Sequence, residues 1–183
     1  ARFLRIEKAV SLPDEEVRDF DRSAFGVTSA FGMREILGYA PVEPDGSVRV
    51  KVPADVAFAL TVLDANGRSI GPRHNNWLQL RAGQELTCNG CHDPDRPDSH
   101  GRSNLFAAAN AGAPGTGVPF PNTNPALFAD FGETMAQVRA RISCQSDCAD
   151  LLPSTAIRYA DVWTDPVAAG RAPDAPFSYD YAD

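Results

Sequence analysis

The chain has 183 residues, 43% of them hydrophobic and 22% charged, enough for one sizeable core or a small core with an elaborated extension. A net charge of −7 and a pI of about 4.9 would repel phosphates, so nucleic-acid binding is disfavoured. Neither a membrane span of roughly 18 apolar residues nor a signal peptide is expected, and 15 Pro with 14 Gly speak for many turns rather than long helices.

The opening "ARFLRIEKAV" reads as a strand in mid-course, which suggests a piece of something longer. In "SLPDEEVRDFD", Ser11 is placed to cap a short helix opened by Pro13 and acidic residues. Residues 1–38 are therefore expected to be a lead-in packed on the sandwich that begins at residue 39. "EPDGSVRVKVP" holds a Pro-Asp-Gly turn, then Val48, Val50 and Val52 alternating with Arg49 and Lys51, the period-two pattern of a half-buried strand. "AFALTVLDANGRSI" repeats the device around Asn66-Gly67, and "NNWLQLRAGQELTC" around Ala82-Gly83. Regular short strands predict a mainly β chain, with a small antiparallel β-sandwich over residues 39–88.

The alternation then stops. Residues 93–126 are rich in Pro, Gly, Asn and Ala and show no period, the mark of a long functional loop. "PALFADFGETMAQVRARIS" reads as a helix entered at Asn124-Pro125 and broken at Gly132, with an apolar stripe of Leu127, Phe131, Met135, Val138 and Ile142. Residues 88–150 thus form a loop and one or two helices, and residues 151–183 an irregular aromatic tail.

Four cysteines fall into two close pairs, Cys88/Cys91 and Cys144/Cys148. The first sits in "CNGCH". A redox dithiol would want a strand-to-helix setting, and the flanking pattern is a β-hairpin. A zinc site could add Cys144 and Cys148, but leaves His92 unexplained. A pair of buried cysteines beside a surface histidine is the bland alternative. Covalent haem accounts for every residue: two thiols add to two vinyl groups, and His92 supplies the proximal imidazole. Small Asn89 and Gly90 suit that close approach.

The distal iron ligand stays open between His100 and His74, with Met33, Met135, a tyrosine or an empty position behind them. A hairpin centred on Ala82-Gly83 sets Trp77 opposite Cys88 and His74 opposite Cys91, near the attachment edge. His100 lies eight residues past His92, and at about 3.3 Å per extended residue the chain can cross the macrocycle. Met135 fits a helical core stripe instead. Trp77, Phe106, Phe120 and Phe128 offer an apolar haem wall or ordinary core. Arg73, Arg81 and Arg102 offer propionate partners or solvated surface charge. In the oxidising compartment that haem c implies, periplasmic or extracellular, Cys144 and Cys148 should form a disulfide, with the helix ending near Ser143 so that they can meet. "DPDRPDSHG" has carboxylates but lacks calcium-loop spacing.

The stretch "ILGYAPVEPDGSVRVKVPADVAFALTVLDANGRSI", with "LQLRAGQELTCNGCH" after it, resembles the middle domain of hydrazine synthase alpha subunits and related bacterial proteins, over about residues 36–92. The residues after "CNGCHDP" look like a branch of those relatives rather than the synthase. The resemblance implies a β-sandwich carrying one haem c within a larger secreted polypeptide, with Cys88, Cys91 and His92 as its attachment and proximal residues. It does not bring the synthase activity, which in that family needs further haem-bearing segments and subunits. The family's tyrosine shortly after the motif is Arg96 here, and His100 is the candidate replacement.

The resulting expectation is a monohaem cytochrome domain that transfers electrons to a redox partner protein or neighbouring haem chains, with self-assembly as one route. The alternatives are a haem enzyme with an open sixth position acting on a small nitrogen or oxygen species, and a sandwich in which haem only pins the loop.

Overall fold

A computed structural model describes residues 1–14, 16–21, 32–71, 76–88, 111–120, 123, 126–145, 148–159 and 177–180. Its centre is a three-stranded antiparallel sheet of β1 (Phe3–Val10), β2 (Met33–Pro41) and β3 (Phe58–Leu63), in the order β2-β1-β3. The opening segment is thus a strand, and the central one of the sheet.

Successive side chains of a strand point to opposite faces. On one face Ile6, Ala40 and Phe58 are buried, and Leu37, Val48, Val50, Val52, Leu60, Leu78 and Leu80 pack on them. On the other lie Phe3, Tyr39 and Leu63. The predicted alternation at residues 48–52 is realised as burial, since the three valines are half-buried while Arg49 and Lys51 are exposed. It is not realised as a ladder, because among the described residues segments 48–52 and 78–80 have no strand pairing beyond a bridge from Leu78 to Phe58. The chain is mainly β and antiparallel as expected, with a second layer made of side chains more than of hydrogen-bonded strands.

The turns are where the sequence put them. Asp64 accepts from the backbone N–H of Asn66 and Arg68, both at 2.8 Å, and closes the Asn66-Gly67 turn. At Ala82-Gly83, Gln84 N–H donates to the Arg81 carbonyl at 3.0 Å, but residues 84–88 are exposed and form no strand. The Ser11-capped helix is replaced by a single turn, in which Asp14 accepts from Val17, Arg18 and Glu16 N–H.

The long predicted helix is also corrected. Its first half is β5 (Phe128–Ala129), paired with β4 (Val118–Pro119). Gly132 then takes φ +80, which a side chain would resist, and α1 (Met135–Ser143) begins after it. The apolar stripe divides accordingly. Leu127, Met135 and Val138 are buried with Ala113 and Ala129, whereas Phe131 is 76% exposed and Ile142 53%. Beyond α1 come a 3-10 helix (Ala149–Leu151) and the antiparallel pair β6 (Ala156–Tyr159) and β7 (Phe177–Asp180).

The sheet and the helical segment are joined along the β2 edge. All the amides of the first turn of α1 find acceptors, as a buried helix end requires. Thr134 and Gln137 cap each other through Gln137 Oε1 at 2.8 Å and Thr134 Oγ1 at 3.3 Å. Met135 N–H donates to Asp45 Oδ2 at 2.9 Å and Ala136 N–H to Ser47 Oγ at 3.0 Å, both acceptors reaching from the Pro44-Asp45-Gly46-Ser47 turn. The buried Glu43 carboxylate pairs with Arg139 from the next turn of α1. Further along, Lys51 N–H donates to the Leu151 carbonyl at 2.7 Å, and Tyr39 and Ser154 exchange backbone bonds of 2.8 and 2.9 Å.

Candidate functional site

Cys88 ends the segment that runs from Leu78 through the Arg81–Gln84 turn. It is exposed and takes no part in the disulfide. The arm leading to it is tied down by Glu85, whose carboxylate meets Arg49 at 2.7 Å. Leu78 and Phe58 exchange two backbone bonds of 2.8 Å and fix the start of the segment to β3. Asn89, Gly90, Cys91, His92, His100, His74, Arg73, Arg102, Phe106 and the "DPDRPDSHG" stretch lie outside the described residues.

The other cysteines behave as expected. Cys144 and Cys148 are disulfide-bonded, and α1 ends at Ser143. That bond removes both thiolates as zinc ligands, and among the described residues no three His, Cys, Asp or Glu side chains gather as a metal would need. Met135 belongs to the core of α1, and Met33 is half-buried at the start of β2. Phe120 packs against the Leu127–Val138 cluster, while Phe128 is 57% exposed on the short β5.

Trp77 is partly open to solvent, and its ring is covered by the Arg34 guanidinium with Cζ 4.4 Å from the ring centroid. At that distance the arginine is attracted to the ring face. Arg34 also reaches buried Glu7 at 3.6 Å, and Arg5 meets the same carboxylate at 3.3 Å. This charged row across one sheet face gave no signal in the sequence, because Arg5 and Glu7 look like the outward positions of an ordinary strand. The cap formed by Asp45 and Ser47 was equally hidden: the Pro-Asp-Gly turn is legible, but not its use 90 residues later. Arg81 is exposed beside Asp55, Gln79 and Gln84 in an open, polar hollow.

Below the helix start, Arg141 grips Glu133 through Nε at 3.0 Å and a terminal nitrogen at 2.8 Å, and donates to the Phe128 carbonyl at 3.1 Å. Those hydrogen bonds first, and the Asp130 N–H second, hold the Glu133 carboxyl below its ordinary value of 4.5. The clamp ties β5 to α1.

Among the described residues no helix is long and apolar enough to cross a membrane. No solved structure matches the chain. Hydrazine synthase subunit alpha of Kuenenia stuttgartiensis is 36% identical over 72 residues, which cover 39% of this chain and 9% of that protein. By its name that relative is one subunit of an enzyme, so partner proteins are part of its setting. The family described as hydrazine synthase alpha subunit middle domain matches residues 4–93, from β1 to the residue after His92. The match reaches further back than the expected residues 36–92 and takes in the central strand of the sheet; over residues 4–93 the chain is similar to the hydrazine synthase alpha subunit middle domain.

Proposed function

We propose that residues 88–92 hold one haem c through thioethers at Cys88 and Cys91, with His92 as proximal ligand, and that the domain passes single electrons to a partner protein. The observation that carries the reading is the division of the four cysteines. Cys144 and Cys148 are committed to each other, which leaves "CNGCH" with both thiols and the adjoining imidazole. The donor set suits the group: sulfur adds to vinyl carbon, and imidazole nitrogen is a strong ligand to iron. Exposure of Cys88 supports it too, since a flat macrocycle needs an open approach to the first sulfur.

When bound, haem supplies a one-electron couple. The chain's part would be to anchor its edge through Cys88 and Cys91 and to ligate the iron through His92, with His100 or His74 as a second imidazole donor. Two imidazoles leave no open coordination site, so an electron-transfer role follows in preference to catalysis on a small nitrogen or oxygen species. A disulfide is at home in the oxidising compartment where haem c is attached, which supports a periplasmic or extracellular setting. The subunit status of the relative supports a protein partner, with neighbouring haem-bearing chains as one form of it.

The test is the absorption spectrum and intact mass of the protein made with a c-type haem maturation system. One covalent haem and a reduced low-spin spectrum indifferent to carbon monoxide are expected. Ready binding of carbon monoxide would replace electron transfer with an open-site enzyme. A colourless protein whose mass lacks a haem would remove the attachment itself. His100→Ala should convert the spectrum to high-spin; if it stays unchanged, the distal role passes to His74 or elsewhere.

A further inference from the structure

The Cys144–Cys148 disulfide sits at the hinge between α1 and the segment that seals the β2 edge. Cys144 N–H still bonds to the Ala140 carbonyl at 2.8 Å, as a continuing helix would have it. Gln145 N–H then shortens its reach to Ile142, and the disulfide draws the two Cα atoms to 4.2 Å. Neighbours four apart on an intact helix stand about 6 Å from each other, so at 4.2 Å the chain has left the helix before Cys148. Cys148 is turned into the left-handed region at φ +58, which an L side chain resists.

Directly after that turn the chain makes its contacts with the sheet. Leu151 is buried and its carbonyl accepts from Lys51 N–H, Pro153 lies over Gly38, and Ser154 pairs with Tyr39. All of these contacts are made within six residues after the reversal at Cys148. The bond is also open to attack, because Cys144 is exposed whereas Cys148 is half-buried.

We propose that this disulfide is a reducible clamp: when it is opened by a dithiol, residues 148–154 leave the β2 edge while the sheet itself persists. A thiolate of the donor attacks Cys144 Sγ and breaks the S–S bond, and the Cys148 thiolate leaves. The donor's second thiol then attacks the donor sulfur of that mixed disulfide and releases Cys144. The protein gains two electrons and two protons, and the donor becomes a disulfide. Cys148 is then able to return to a right-handed conformation, and the strain that held the reversal is gone. The proposal does not depend on the haem reading, since neither cysteine belongs to "CNGCH".

Amide hydrogen exchange reads the clamp at single residues. The amides of Lys51, Tyr39 and Ser154 each donate across the clamped edge, whereas those of Phe58 and Leu78 donate to each other at the opposite edge of the sheet. On reduction of the intact protein, exchange at the first three should rise about tenfold or more, with the second pair unchanged. Cys144→Ser/Cys148→Ser without reductant should give the same selective pattern, which separates the clamp from any effect of reductant on iron. Unchanged exchange at Lys51, Tyr39 and Ser154 in reduced protein would overturn the proposal. An equal rise at all five amides would overturn it as well, since the bond would then be a global staple.

Discussion

Replacing Asp45 by alanine removes the most distant support of α1. The Asp45 carboxylate accepts from Ser47 N–H at 3.0 Å within its own turn, and two supports of the helix go with it. The Met135 amide loses a carboxylate acceptor at 2.9 Å, and Ser47 Oγ loses the 2.6 Å bond to Asp45 that aims it at Ala136 N–H. A hydrogen bond to a charged group is worth about 1.5–3 kcal/mol net, and loss of a helix cap about 0.5–2 kcal/mol. The ranges overlap near 2 kcal/mol, and for a chain of this size that lowers Tm by about 6 °C. Asp45→Asn keeps an acceptor without the charge and should cost about half as much. The assay is urea unfolding followed by circular dichroism with the disulfide intact. Combining Asp45→Ala with Ser47→Ala should give less than the sum of the two, by about 0.5 kcal/mol or more, because the two side chains act as one cap. If Asp45→Ala lies within about 0.5 kcal/mol of wild type, the turn does not hold the helix and the β2 edge is not the support described above.

Gly38→Ala should destabilise by about 3 kcal/mol in the same assay, since the new methyl would sit 2.8 Å from Pro153 at a residue with φ +143; a loss under about 1 kcal/mol would mean that the 153–154 segment yields easily. Leu127→Ala opens the fully buried cluster beneath α1 and should cost about 3 kcal/mol by urea midpoint. The Glu133 carboxyl has its folded-state pKa depressed below 4.5, so its contribution is complete above that pH and fades as pH falls through the folded value. The stability gap between wild type and Glu133→Gln should therefore be present near neutrality and close in acid, and a gap that widens in acid would contradict the Arg141 clamp. Cys88→Ser should leave at most a single-thioether haem, detectable by intact mass, and normal double attachment would contradict the role given to Cys88.

The sheet was legible where local pattern decides structure. β1 announces itself in "FLRIEKAV", the Asn66-Gly67 turn in its own dipeptide, and the helix end at Ser143 in the need of Cys144 and Cys148 to meet. The alternation at Val48, Val50 and Val52 foretold which side chains are half-buried, because burial follows periodicity whether or not a neighbour completes the ladder. The failures share a cause. Leu127, Phe131 and Met135 keep helical spacing, yet Gly132 reverses the chain between them, and the pairing of Phe128 with Pro119 comes from residues nine positions upstream. The short helix opened by Pro13 did not form, since Asp14 satisfied the nearby amides in one turn. The charged row of Arg5, Glu7 and Arg34 and the cap at Asp45 are tertiary by nature. Arg34 stands 27 residues from Glu7, and Met135 90 residues from Asp45, so no short window of sequence shows these pairs.

The segment that carries the family likeness serves two different ends. Within "GYAPVEPDGS", Gly38 admits Pro153, Tyr39 pairs with Ser154, Glu43 holds Arg139, and Asp45 and Ser47 receive α1. These residues are a docking edge, and their likeness to a relative speaks of how a sheet takes up the later part of its own chain. "CNGCH" is different, since nothing in the packing of the described residues asks for two cysteines and a histidine there. The partners of the docking edge all lie beyond residue 93, where the family match ends. The sheet that lies within the family match is thus completed by a segment outside it, through bonds that start from residues inside it. The likeness over residues 4–93 therefore covers the sheet and "CNGCH" but not the segment that completes the fold, and it says nothing of the reaction.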